Sequence, residues 1–345
     1  MVLAWMLGGF LALGLLLALG GLLYQAVGSA RDWRRYPPPG KLSDVGGHRL
    51  HLYTMGEGTP TVVLDSGLPG TCLSWALVQP EVAQFARVCS YDRAGLGWSD
   101  PGPRPRTSQQ IVTELHRLLQ RAGLEPPYML VGHSFGSFTV RLYASQYPDE
   151  VAGLVLVDPI STREWLEMTP EQQAGLRGGV RMARYGAVLA RLGVARLISF
   201  LARIGAVNVA RLSVKVVTAG RVRGGEQMVS PIAKLPPESR AAARAFWTQP
   251  KCFETIADQV ASLAESAAQV AAADNYGELP LLVLSASNST PARLADREAL
   301  AALSSRGTHR VAPDSGHWIQ LEQPQQVIDA IREVVLKARG PSASQ

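Results

Sequence analysis

Residues 128–147 read YMLVGHSFGSFTVRLYASQY, and this stretch decides the fold. Residues 128–131 are apolar and typical of a buried strand, whereas residues 137–147 have the apolar spacing of a helix. Between them, residues 132–136 read GHSFG, the only G-x-S-x-G sequence in the chain. A strand that turns at once into a helix presents the central serine in a cleft, and the two glycines leave room for that turn. The stretch therefore predicts a nucleophilic serine at Ser134.

Strand and helix patterns alternate on both sides of this stretch. Strand patterns occupy residues 48–54, 60–64, 87–91, 151–157, 279–284 and 308–312. Helical patterns occupy residues 74–86 and 325–336, and another helical segment begins at Thr107 or Ser108, either of which can cap it. Residues 151–157 are so continuously apolar that they predict a central parallel strand. The alternation predicts an α/β fold with a mostly parallel central sheet and helices on both faces.

A long insertion interrupts this alternation. More than a hundred residues separate Asp158 from Pro280, with several helical patterns and no convincing strand. Such a length is uncommon for a connection inside a sheet. We therefore predict a helical cap over residues 160–253, inserted into a core formed by residues 47–159 and 254–338, with a disordered tail over residues 339–345.

The insertion carries an unusual charge pattern. From Arg177 to Arg223 it contains nine arginines and no Asp or Glu. Four of these arginines share one helical face: Arg177, Arg181, Arg184 and Arg191. Three apolar residues can lie on a different face of the same helix: Val180, Val188 and Leu192. The pattern indicates either a solvated cationic face or a surface that lies against anionic lipid headgroups.

The N-terminus carries an apolar segment without charged side chains. Residues 2–26 are long enough to cross a bilayer as a helix, so they predict a transmembrane anchor. A juxtamembrane stem over residues 27–46 should follow, held extended by three consecutive prolines at positions 37–39. A signal peptide cleaved after Ala30 is the alternative, although no Lys or Arg precedes the apolar run. Because basic residues follow the run, the positive-inside rule predicts a cytoplasmic catalytic domain; they are Arg31, Arg34, Arg35 and Lys41.

With its G-x-S-x-G elbow between strand and helix, the sequence resembles the α/β-hydrolase superfamily from about Gly47 to Leu336. Residues 314–318, DSGHW, follow a late strand and resemble the catalytic histidine loop of that family. The resemblance implies that His317 is the general base, which takes the hydroxyl proton and returns it to the leaving group. Other roles are expected for the remaining histidines: a surface position for His48, His51 and His116, a structural role for His309, and a place in the pocket lining for His133.

The acid of the triad is not where relatives commonly carry it. The loop over residues 285–290 reads SASNST and contains no carboxylate. Asp158 ends the preceding strand and keeps the order Ser, Asp, His along the chain, a position that some family members use. We therefore predict Asp158 as the acid, with Asp296 as the alternative. Asp92 is expected to brace a turn.

An oxyanion hole requires two backbone N–H groups that point at the developing negative charge. The resemblance implies that Phe135, which follows the nucleophile, supplies one of them. The other should come from residues 66–70, SGLPG, where relatives often show His-Gly. We predict the N–H of Leu68, because Pro69 has none and Gly67 lets the loop bend close.

Composition restricts the remaining function classes. With 345 residues, 47% of them hydrophobic and 18% charged, the chain has the composition of a globular protein, and its formal charge of +6 permits contact with anionic surfaces. Its three cysteines, Cys72, Cys89 and Cys252, show no metal or disulfide spacing, so we expect no metal. The sequence contains no phosphate-binding loop and no nucleic-acid motif, so we expect no cofactor and no nucleic acid partner. The predicted function is a serine hydrolase that cleaves a small-molecule or lipid ester through an acyl-enzyme on Ser134. An acyltransferase on the same scaffold and a hydrolase-like binding protein without catalysis are the alternatives.

Overall fold

A computed structural model describes residues 1–204 and 232–340, and it contains one eight-stranded sheet. The strands are β1 (Lys41–Asp44), β2 (Arg49–Met55), β3 (Thr61–Asp65), β4 (Val88–Tyr91), β5 (Tyr128–His133), β6 (Val151–Val157), β7 (Leu281–Ala286) and β8 (Gly307–Ala312). Their order across the sheet is β1-β2-β4-β3-β5-β6-β7-β8. The pairs β1–β2 and β2–β4 are antiparallel and all other pairs are parallel, so the predicted mostly parallel sheet is confirmed.

Helices precede the sheet, cover it and fill the long insertion. In chain order through the described residues they are α1 (Val2–Arg35), α2 (Gln79–Val82), α3 (Ser108–Arg121), α4 (Gly136–Gln146), α5 (Thr162–Leu166), α6 (Pro170–Arg191), α7 (Val194–Arg203), α8 (Pro237–Phe246), α9 (Pro250–Ala261), α10 (Leu263–Ala271), α11 (Pro291–Ala301), α12 (Ile319–Glu322) and α13 (Pro324–Arg339). Thr107 caps α3, and its hydroxyl accepts from the N–H of Gln110. Part of the arginine-rich stretch and most of the predicted tail lie outside the described residues.

The central strands pack against helices on both faces, as predicted. Along β5, Tyr128 and Leu130 join a core with α3, α4 and α10, whereas Met129 and Val131 join a second core with α2 and α13. This alternation follows from the two-residue period of a strand. Both faces of β5 are therefore buried, which explains why the sequence here is apolar without interruption.

Two local expectations were wrong. The predicted helix over residues 74–86 is a 3₁₀ turn (Cys72–Trp75) followed by the single turn α2. Pro80 has no backbone N–H for a helical hydrogen bond, so it disfavours one continuous helix across this segment. His51 is fully buried rather than on the surface. Strand β1 was not predicted, and it pairs with β2 so that Leu42 lies opposite His51.

Helix α1 is longer than the predicted anchor. It continues through Arg35 and ends just before the prolines at positions 37–39, which disfavour helical geometry in the residue before them. The first part of the predicted stem is therefore helical, and the last part includes β1. By length and composition α1 is a candidate membrane span, a test that a signal sequence would also pass.

The second half of α1 packs against the helices inserted between β6 and β7. The side chain of Gln25 is buried and donates to the carbonyl of Thr248 at 3.0 Å. Asp32 forms an ion pair of 2.7 Å with Arg196 of α7. A Cβ at Gly21 would lie 2.3 Å from the carbonyl oxygen of Leu192, so the helix backbones are in direct contact there. Residues 21–35 are thus part of the folded body, while residues 2–20 project from it.

The α1 contacts predict different effects for two N-terminal deletions. A chain that begins at Gly21 keeps them, whereas a chain that begins at Arg31 loses the buried Gln25 and the close approach at Gly21. The second chain should unfold roughly 3 °C or more below the first, since a buried hydrogen bond contributes about 1 kcal/mol and helix packing adds to it. Thermal unfolding followed by circular dichroism measures the difference. Equal melting temperatures would mean that residues 21–30 do not stabilise the body.

Candidate active site

Ser134 lies at the sharp turn between β5 and α4. Its φ is +50°, in the left-handed region that non-glycine residues rarely adopt. A Cβ at Gly132 would lie 2.6 Å from the carbonyl oxygen of Gly136, and a Cβ at Gly136 would lie 2.5 Å from that of Asp65. Both glycines are therefore required by close backbone approach. The turn leaves the Ser134 hydroxyl at the carboxyl edge of the sheet, where ligands bind in open α/β folds.

The structure brings Ser134, His317 and Asp158 together. His317 follows β8, and its Nε2 lies 3.0 Å from the Oγ of Ser134. Its Nδ1 lies 2.6 Å from Oδ2 of Asp158, which follows β6. The His317 side chain is 44% exposed whereas that of Asp158 is 5% exposed, so the imidazole is accessible while the carboxylate is shielded from water.

The carboxylate of Asp158 is held by three groups in addition to the enclosing protein. His317 donates to Oδ2, the N–H of Ala286 donates to Oδ1 at 2.9 Å, and the guanidinium of Arg297 lies 3.0 Å from Oδ1. Burial raises the pKa of Asp158, but the hydrogen bond from His317 and the charge of Arg297 outweigh it and hold the pKa below its usual value. The carboxylate is therefore ionised at neutral pH.

Arg297 was not anticipated from the sequence. It belongs to α11, its side chain is 7% exposed, and its Nη1 donates to Ser289 Oγ at 2.6 Å. Arg297 thus connects Asp158 to the loop over residues 285–290. Nothing in the sequence distinguishes it from the exposed Arg293 one turn earlier, because only tertiary packing decides which of the two is buried.

The alternative acid, Asp296, lies elsewhere. Its Oδ2 accepts from the hydroxyl of Ser161 at 3.1 Å. No hydrogen bond between Asp296 and His317 is found within residues 1–204 and 232–340. Asp296 and the buried Arg297 are neighbours in sequence, and on a helix they point in different directions.

His133 does not line an open pocket, contrary to expectation, because it is fully buried. Gln320 donates to its Nδ1 at 3.2 Å, which leaves the proton on Nε2 to be donated to the carbonyl of His317 at 2.8 Å. Burial, followed by the neighbouring His317, lowers the pKa of His133 to about 3. His133 is therefore a neutral side chain that fastens the His317 loop to the end of β5.

The loop after β3 lies directly against Ser134. A Cβ at Gly67 would lie 2.9 Å from the Cβ of Ser134, so only glycine fits. Arg93 holds this loop by donating to the carbonyls of Ser66 at 2.6 Å and Gly67 at 2.7 Å. The same guanidinium lies 5.0 Å from the ring centroid of Phe135. Arg93 therefore braces both segments from which oxyanion donors were predicted.

The two predicted donors are available for an additional partner. In the part of the chain that the structure describes, no acceptor is found for the N–H of Leu68 or of Phe135. An unpaired backbone N–H beside a nucleophile is what an oxyanion hole requires.

Three side chains that could ligate a metal meet at His51, Cys72 and Asp92. Their polar atoms already have protein partners, since Asp92 accepts from His51 Nδ1 and from the N–H groups of Cys72 and Trp98. The remaining nitrogen of His51 accepts from the N–H of Gly40. Burial, followed by the charge of Asp92, raises the pKa of the Cys72 thiol, which disfavours the thiolate that metals bind. The cluster braces the turn after β4, the role expected of Asp92.

Comparison with known proteins gives the same fold. A thermophilic esterase from Thermogutta terrifontis superimposes with a TM-score of 0.61 at 23% identity, covering 86% of this chain and 98% of the esterase. The epoxide hydrolase CorEH superimposes with a TM-score of 0.61 at 19% identity, covering 85% of this chain and 97% of that protein. At such identities the likeness shows the fold alone.

Sequence comparison adds a family assignment. The protein YqjL of Bacillus subtilis (strain 168) is 34% identical over 120 residues, which are 34% of this chain and 47% of YqjL. The chain spans less than half of the length of the curated relatives that it matches. The family model of the α/β hydrolase fold matches residues 60–324, which include Ser134, Asp158 and His317. The chain therefore belongs to the α/β-hydrolase fold family and has hydrolases among its relatives.

Proposed function

We propose that the protein is a serine hydrolase that cleaves carboxylic esters through an acyl-enzyme on Ser134. The observation that carries this proposal is the continuous chain from Ser134 Oγ to His317 Nε2, at 3.0 Å, and from His317 Nδ1 to Asp158, at 2.6 Å. These contacts fit a nucleophile, a general base and an acid that orients the base and stabilises its charged form. The ionised state of Asp158 suits that last role.

The proposed reaction has two stages. His317 takes the proton of Ser134 as Oγ attacks the carbonyl carbon, and the N–H groups of Leu68 and Phe135 donate to the resulting oxyanion. His317 then returns the proton to the departing alkoxide, which leaves as the alcohol. A water molecule attacks the acyl-enzyme with the same proton movements and releases the acid. The exposure of His317 gives water access to the base in this second stage.

Epoxide opening is less compatible with a serine at this position. Attack of Ser134 on an epoxide carbon would form an ether, which has no carbonyl for water to attack. An acyl-enzyme is an ester, and the same base and anion donors that form it can also cleave it. The similarity to an epoxide hydrolase therefore supports the common scaffold and not the same substrate.

An apolar pocket beside the proposed triad supports an apolar substrate. It borders the loop after β3 at Pro69 and the histidine loop at Trp318. The inserted helices supply further apolar lining; these residues are Ile232, Leu235, Ala243, Phe246, Trp247 and Cys252. Pro69 follows Leu68 and Trp318 follows His317 in the chain, so the pocket borders two loops of the proposed site. We therefore propose an apolar ester, including lipid-like esters, as the substrate class.

The packing of α1 supports a retained membrane anchor rather than a cleaved signal. Cleavage after Ala30 would remove Gln25, which is buried against Thr248, and Gly21, which touches Leu192. It would leave buried groups of the body without partners, at a cost in stability. We propose that residues 2–20 span the bilayer and that the basic residues at the end of α1 keep the catalytic domain on the cytoplasmic side.

The first test is hydrolysis of short p-nitrophenyl esters by the full chain in detergent, without added metal. Ser134→Ala and His317→Ala should each lower kcat by about 10³-fold or more with the fold retained, because members of a triad act as a unit. Spectrophotometric rates and circular dichroism of each variant measure both effects. A loss of only a few-fold in either folded variant would contradict the proposed site.

The second test separates the two candidate acids. Asp158→Asn should lower kcat by about 10³-fold, because an amide cannot hold His317 in the tautomer that accepts the serine proton. Asp296→Asn is the matched control and should have little effect, since Asp296 contacts Ser161 and not His317. Steady-state kinetics on both variants give the ranking. The opposite ranking would show that Asp296 supports catalysis.

The third test concerns Arg297. Removing its charge with Arg297→Ala should raise the pKa of Asp158, because the charge of Arg297 helps to hold that pKa below its usual value. The acid limb of the kcat/KM profile should therefore move to higher pH.

Two controls accompany this measurement. Arg297→Lys keeps the charge and should shift the limb less than Arg297→Ala. Arg293→Ala removes an exposed arginine of the same helix, which pairs with Glu164, and should leave the limb in place. An unchanged limb in folded Arg297→Ala would exclude an electrostatic role for Arg297.

A further inference from the structure

The inserted helices α6 and α7 meet α1 at the end of its projecting segment. Gly193, which joins the two helices, has a φ of +73°, and a Cβ there would lie 2.8 Å from the Tyr24 ring. Gly21 touches the preceding Leu192, as described above. The corner between α6 and α7, with an angle of 81° between the helices, is thus fitted closely to residues 21–24 of α1.

The position of this contact along α1 places the corner relative to a membrane. A helix rises 1.5 Å per residue and a hydrocarbon core is about 30 Å thick, so roughly 20 residues cross it. If residues 2–20 span the core, residues 21–24 lie where α1 leaves it, at the level of the lipid headgroups. The contacts of Gln25, Ser29 and Asp32 with Arg196 come next, on the side of the catalytic domain.

Helix α7 carries an apolar face that none of the described residues covers. Leu197 is 48% exposed and Phe200 is 42% exposed, and Ile204, just beyond the end of α7, is 59% exposed. Their spacing of three and four residues puts them on one side of a helix. Arg196 lies one turn before Phe200, at the edge of this face, and its ion pair with Asp32 ties α7 to α1.

Basic residues are exposed on both α6 and α7. Arg203 is exposed, with its guanidinium 5.7 Å from the ring centroid of Phe200. The four α6 arginines that were predicted to share a face are exposed. Val188, which was expected on a different face of the helix, is 48% exposed. Helix α7 itself contains no Asp or Glu, and an apolar helix face beside an arginine is a composition found in helices that lie in a lipid interface.

We propose that α7 and the α6–α7 corner are seated in the bilayer surface, with Leu197, Phe200 and Ile204 in the headgroup–acyl boundary. This inference rests on the proposal that α1 is a retained anchor. The lipid bilayer is the favoured occupant because α7 begins at Gly193, which lies against Tyr24, next to the projecting apolar segment of α1. The inserted helices would then be fixed to the membrane at two places, by α1 and by α7.

Spin labels on the full chain test this arrangement. The three native cysteines are buried, so cysteines introduced singly by Phe10→Cys, Phe200→Cys and Leu336→Cys can be labelled selectively. The labelled proteins are placed in nanodiscs of phosphatidylcholine and phosphatidylglycerol. Collision with dissolved oxygen, which prefers lipid, and with a nickel chelate, which stays in water, is measured for each label by power saturation. Position 336, on α13, is the aqueous control.

We expect labels at positions 10 and 200 to collide more with oxygen than with nickel, and the label at position 336 to show the reverse. A label at position 200 that behaves like position 336 would overturn the inference while leaving the anchor in place. A label at position 200 shielded from both reagents would show that protein covers α7, and would also overturn it. An aqueous label at position 10 would refute the anchor and the inference together. Ester hydrolysis, measured separately, reports on the catalytic proposal alone.

Discussion

The hydrogen bond between Asp158 and His317 is the interaction on which the proposed chemistry depends, and the sheet sets its geometry. The N–H of Ser134 donates to the carbonyl of Val157, and the N–H of Asp158 donates to that of Leu284. Backbone hydrogen bonds therefore fix the ends of β5, β6 and β7 relative to one another. Because these strands are parallel, their carboxyl ends meet at one edge, and His317 arrives there after β8.

Much of this arrangement could be predicted because it depends on local sequence. The apolar run of β6 and the turn between β5 and α4 are visible in residue types, and Asp158 follows directly from the end of a strand. The residues that hold the site in place could not be predicted in this way. Arg297 and Arg93 act through burial and long-range contacts, and nothing within a few residues of either marks it. His133 stands beside Ser134 in the motif, but its burial and its contact with the His317 loop depend on tertiary packing. The same reason hid β1, whose four residues gain their structure by pairing with β2.

The N-terminal helix joins a candidate membrane span to the folded body in one structure. Its first part has the composition of a span, while Gln25 and Asp32 in its second part contact the inserted helices. The inserted helix α8 also supplies Phe246 to the apolar pocket near Ser134. The helices that shape the proposed substrate site are therefore the helices attached to the anchor. An apolar ester dissolved in the bilayer would be a substrate consistent with this arrangement.

The central claim is that Ser134 is an activated nucleophile, and a fluorophosphonate tests it most directly. Such a reagent reacts with a serine hydroxyl only when a base assists the attack. After reaction with the full chain, proteolysis and mass spectrometry locate the adduct. We predict one equivalent of phosphonate on the peptide that contains Ser134, and none in the folded His317→Ala variant. A native, folded protein that takes up no phosphonate, or takes it up at another residue, would contradict the account.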